Sequence, residues 1–86
     1  MKLKLYGVMG SISGGTSDLG INTTCLVVSS NDKDLILDSG TGILNYMRSV
    51  NESSYHILLS HYHLDHIQGF PFIPQLYDTS NIIKLY

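Results

Sequence analysis

Basic residues are scarce: five Lys and Arg against seven Asp and Glu leave a formal net charge of −2 over 86 residues. A chain so poor in cations has no electrostatic grip on a nucleic-acid backbone, so any nucleotide would have to be held by metal. The only cysteine, Cys25, excludes an internal disulfide, and the apolar run around it reads as a buried free thiol in a reducing, cytoplasmic compartment. No stretch nears the ~20 apolar residues of a membrane span, and no apolar core of signal-peptide length follows the start Met1-Lys2-Leu3-Lys4. Internal repeats, low-complexity tracts and linkers are also missing. Gly14-Gly15 is followed by no Gly-Lys-Ser or Gly-Lys-Thr, and no G-x-G-x-x-G occurs, which rejects a phosphate-cradling loop. The absence of a G-x-S-x-G sets aside a serine nucleophile elbow.

What is there describes a folded piece. Hydrophobic residues make up 43% of the chain and charged residues 14%, which excludes a disordered tail and allows one domain at most. A domain of this size buries only roughly 60–65% of the surface its unfolded chain exposes, so its stability is modest without a metal, a staple or a partner.

Lys2 to Val8 alternates charged with apolar residues at the period of a half-buried strand. Glycine and serine then dominate from Gly7 to Gly20, the composition of a long loop. Cys25-Leu26-Val27-Val28 and Leu35-Ile36-Leu37 flank the polar turn Ser29 to Lys33 and predict an antiparallel hairpin. After Asp38-Ser39-Gly40-Thr41-Gly42, the spacing of Ile43, Leu44, Tyr46, Met47 and Val50 predicts a short helix. His56 to Ser60 reads as a buried strand, with His56 itself a packed or surface histidine. Gly69, Pro71 and Pro74 argue against a long helix beyond it, and Ile82 to Tyr86 closes as another strand.

Chemistry is concentrated in His61-Tyr62-His63-Leu64-Asp65-His66. Three imidazoles and a carboxylate within six residues are the ligand types of zinc and other borderline divalent ions. In an extended segment His61 and His63 point the same way and reach one ion, while Asp65 and His66 turn toward a second position. The alternative is a polar loop whose histidines merely cap a strand and a turn.

Ser60 to Gly69, together with Leu35-Ile36-Leu37-Asp38-Ser39-Gly40, resembles the metallo-β-lactamase superfamily. The resemblance implies that His61 and His63 hold one metal, that Asp65 and His66 contribute to the other, and that Asp38 orients the ligands from behind. For Asp38 the competing role is a cap on the helix that follows Gly42. Gly7 to Ile12, Asn22 to Cys25 and His66 to Phe72 look more like the phosphodiesterase and tRNA 3′-end-processing branches than the antibiotic-hydrolysing one. The fold class so implied is α+β: residues 1–86 form a single partial domain, the N-terminal half of an αββα sandwich, with a mostly antiparallel sheet and short helices.

The expected chemistry is hydrolysis of phosphodiester-like or other ester bonds in a small-molecule or nucleotide substrate. Two ions roughly 3.5–4 Å apart lower the pKa of bound water toward ~7, and Asp65, besides ligating, accepts a proton. Zinc is the first expectation, with Mn2+ and Fe2+ suited to similar ligand sets. The family draws further ligands from a second half, whereas no histidine follows His66 and Asp78 is the only later carboxylate. The chain is therefore expected to be a fragment, inactive alone, that self-associates or is completed by a C-terminal half. The rival expectation is a non-catalytic metal-binding piece working as an interaction or assembly module.

Overall fold

The computed structural model describes residues 1–10 and 20–86. They form an α+β domain built on one five-stranded mixed sheet, in the order β1 (Lys2–Gly7), β2 (Cys25–Ser30), β3 (Lys33–Leu37), β4 (Ser54–Leu58) and β5 (Ile82–Leu85). Two helices, α1 (Ile43–Ser49) and α2 (Leu64–Ile67), lie before and after β4, and 3-10 turns span Phe70–Phe72 and Pro74–Tyr77. The Gly/Ser-rich loop expected over Gly7 to Gly20 falls, from 11 to 19, outside the described residues.

The hairpin forms as its turn chemistry predicts, and tightly. Ser30 pairs with Lys33, leaving Asn31 (φ 53°) and Asp32 (φ 61°) as a two-residue loop. Consecutive positive φ values are the mark of the primed turn whose twist matches paired strands, and Asn and Asp tolerate that region better than most residues.

The sheet is not mostly antiparallel. β1–β2 and β2–β3 are antiparallel, but β3–β4 and β4–β5 are parallel. The reason lies in the connections: after β3 each link carries a helix, which returns the chain to the starting end of the sheet before the next strand begins. The strand before the histidine motif also starts earlier than its apolar run, at Ser54, because Ser54 and Tyr55 pair with Ile82 and Ile83. It ends at Leu58, beyond which Ser60 turns toward β3.

One face of the sheet carries the core. Cys25, Val27, Ile36, Tyr55 and Ile57 are buried with Ile43, Tyr46 and Met47 of α1 and with Ile73. These three α1 side chains belong to the apolar stripe that predicts the helix. The other face is also apolar but has no cover among the described residues. Cross-strand pairing aligns Leu3 with Val28 and Leu35, and Leu5 with Leu26, Leu37 and Leu58. On this face Leu3 is 61% exposed, Leu5 57%, Leu35 38%, Leu58 43% and Ile82 57%. Parallel pairings normally lie in sheets covered on both faces, so this open face is unusual.

Candidate metal centre

Because β3 and β4 are parallel, their C-terminal ends lie side by side, and the segments leaving them are neighbours. Two backbone bonds join these segments to the motif: Ser39 N–H donates to the His66 carbonyl at 2.8 Å, and Gly69 N–H to the Ser39 carbonyl at 2.9 Å. The approach is too close for a side chain at Gly40, where a Cβ would collide with the Asp65 carbonyl and the Thr23 hydroxyl. Glycine is required there by space. From the third side, Gln68 Nε2 donates to Thr23 Oγ1 at 2.9 Å, and Thr23 and Thr41 bond to each other through backbone and hydroxyl groups.

At the centre sits Asp38, only 6% exposed, with φ at +65°. Aspartate tolerates this left-handed region better than most residues, and the bonds around Asp38 hold it there. Its backbone N–H donates to the Leu58 carbonyl at 2.9 Å. Its carboxylate accepts from Ser60 N–H at 2.7 Å, from the Ser60 hydroxyl at 2.8 Å and from His66 Nδ1 at 2.8 Å. Burial pushes this carboxyl upward, but the Ser60 N–H, the His66 imidazole, the Ser60 hydroxyl and the His66 charge together outweigh it and hold Asp38 below the ordinary carboxylate range. Asp38 does not cap α1: the cap position is Gly42, and no side chain bonds there.

The four motif residues fall on two kinds of backbone. His61 and His63 lie in the irregular stretch after β4, with His63 extended at the N-terminal boundary of α2, while Asp65 and His66 lie in α2 itself. The His61 ring is 4.4 Å from that of His63 and 4.1 Å from that of His66, centroid to centroid. Asp65 Oδ2 stands 3.3 Å from His66 Nε2, so the His66 ring has a carboxylate at each nitrogen. Among the described residues no three His, Cys, Asp or Glu side chains converge into an assembled metal-binding group. The donors are gathered without being clasped, and His61 and His63 are exposed.

The donor chemistry fits a divalent ion. With Asp38 on Nδ1 of His66, the nitrogen left facing the cluster is Nε2, the arrangement in which an outer carboxylate sets the orientation of a ligating imidazole. His56 stands apart, half-buried on β4, with its Nδ1 3.1 Å from the Tyr86 hydroxyl and its ring stacked on that of Tyr86. Ser60 and Thr23 lie in stretches that carry the resemblance, but no role is expected of either from the sequence. For Ser60 the usable signal is a hydroxyl residue directly before a histidine run. Thr23 offered a weaker sign, a pair of threonines leading into an apolar strand.

Comparison of the chain with protein-family models, with curated proteins and with solved structures found no match in any of the three. Among the described residues no helix is long and apolar enough to cross a membrane.

Proposed function

We propose that this domain is the histidine-bearing part of a metal-dependent hydrolase of phosphodiester-like or other ester bonds, of metallo-β-lactamase type. The observation that carries the reading is the clustering of the His61, His63 and His66 rings beside a buried Asp38 that bonds His66. Zn2+, or Mn2+ or Fe2+ in its place, would supply Lewis acidity and an activated water at this cluster. His61, His63, Asp65 and His66 would hold it. Asp38 fixes the His66 ring, and Asp65, beside His66 Nε2, would also accept a proton from the activated water. The buried thiol of Cys25 suits a reducing, cytoplasmic setting.

The open face of the sheet supports a partner. A second sheet laid on it, from another copy of the chain or from a complementing C-terminal half, would make an αββα sandwich and bring further ligands. The same face favours a second reading, an assembly module in which the metal is structural. Hydrolysis of a bis-aryl phosphodiester with added zinc or manganese separates the two. The hydrolase reading expects the associated species to turn the substrate over, and His63→Ala to abolish that turnover. Turnover unchanged in His63→Ala, or zinc bound no better by the parent chain than by the variant, contradicts it.

A further inference from the structure

The Ser60 hydroxyl touches both the carboxylate and the histidines. Its oxygen lies 2.8 Å and 3.0 Å from the two carboxylate oxygens of Asp38, 3.0 Å from His61 Nδ1 and 3.4 Å from His66 Nδ1. A hydroxyl has one proton to give and two lone pairs to receive with, whereas an ionised carboxylate only accepts. The direction of each bond follows. The proton of Ser60 goes to the carboxylate, because a hydrogen bond to a buried charge is roughly twice as strong as one between neutral groups. The serine oxygen then accepts, and its partner at 3.0 Å, His61 Nδ1, must carry a hydrogen. His66 Nδ1 already donates to Asp38 at 2.8 Å, which accounts for its longer distance to Ser60.

We propose that Ser60 is a positioning residue that relays the Asp38 carboxylate to His61, so that one buried acid sets the tautomer and ring orientation of two histidines, His66 directly and His61 through the hydroxyl. The chain of bonds runs His61 Nδ1–H to Ser60 Oγ, then Ser60 O–H to Asp38, with His66 Nδ1–H reaching the same carboxylate. His61 is thereby left with Nε2 as the nitrogen that can carry a lone pair for a ligand, while Nε2 of His66 faces Asp65 Oδ2 at 3.3 Å. The tautomer assignment stands on hydrogen-bond geometry alone. Its consequence for metal affinity rests on the hydrolase reading above.

The two are tested apart. Histidine-ring 1H–15N correlation spectra of the metal-free protein at about pH 8, above the ordinary histidine pKa of roughly 6.5, read the tautomer of each ring. The expected result is Nδ1–H for both His61 and His66 in the parent chain. In Ser60→Ala, His61 changes to Nε2–H while His66 keeps Nδ1–H; in Ser60→Thr, which retains the hydroxyl, both stay Nδ1–H. An Nε2–H tautomer at His61 in the parent chain overturns the relay without recourse to any variant, as does a His61 ring that ignores Ser60→Ala. A zinc titration follows. Loss of an outer partner of this kind weakens metal binding by about 10–100-fold, and Ser60→Thr should restore the affinity that Ser60→Ala loses. Correct tautomers in a chain that binds no zinc would defeat the hydrolase reading and leave the relay intact.

Discussion

The two faces of the sheet are built from the same kinds of residue and have opposite fates. Ile36 and Ile57 look toward α1 and are 1% and 0% exposed, whereas Leu35 and Leu58, their sequence neighbours, look the other way at 38% and 43%. Alternation along a strand normally sorts apolar from polar residues, as it does in β1 with its lysines; in the middle of the sheet Leu26 and Val27, Leu35 and Ile36, and Ile57 and Leu58 put apolar side chains on both faces. The covered face accounts for the fold of the domain. The open one is where the proposed partner would lie.

Truncation on the covered face should be the most damaging change. Ile57→Ala is expected to cost about 2–5 kcal/mol, because a fully buried side chain leaves a cavity that the sheet and α1 cannot close; urea unfolding measures it. Asp38→Asn comes next, at about 1–3 kcal/mol, since it removes the charge that Ser60 and His66 share at a left-handed backbone position. If its loss were under half a kcal/mol, the central place given to Asp38 would be wrong. Leu35→Thr on the open face should change the stability of the dissociated chain by less than about 0.5 kcal/mol. Its effect should appear instead as a shift toward monomer in sedimentation. An equal cost from Leu35→Thr and Ile57→Ala would erase the distinction between the faces.

Cys25 offers a chemical probe of the covered face. Burial, with a smaller contribution from the Asp38 charge, pushes its thiol from 9.0 up to about 12. Because the folded value lies above the unfolded one, the neutral thiol contributes its stability fully below pH 9. That contribution is lost as the pH rises through about 12. At pH 8 the thiolate fraction should make alkylation slower than in the unfolded chain by a factor on the order of a thousand. Equal rates in native and denatured protein would place the thiol at the surface.

Much of the fold can be read along the chain because it depends on local pattern. The hairpin follows from two apolar runs about an Asn-Asp turn, α1 from the spacing of Ile43, Tyr46 and Met47, and β5 from Ile82 to Leu85. The parallel half of the sheet is not local, since it is decided by where each helix returns the chain. At the candidate centre the residue types of the histidine motif are visible in sequence, but the Asp38–Ser60 contact spans 22 positions and depends on a left-handed turn at Asp38 that no composition announces. Resemblance pointed to Asp38; nothing in the linear pattern pointed to Ser60 as its partner.

The most direct test of the metal-hydrolase reading is metal content per chain by elemental analysis after mild purification, taken together with the mass of the species in solution. The account predicts zinc, or manganese or iron, bound in an associated species, and lost from His63→Ala. A metal-free, 9.5 kDa monomer that takes up none of these ions would contradict it.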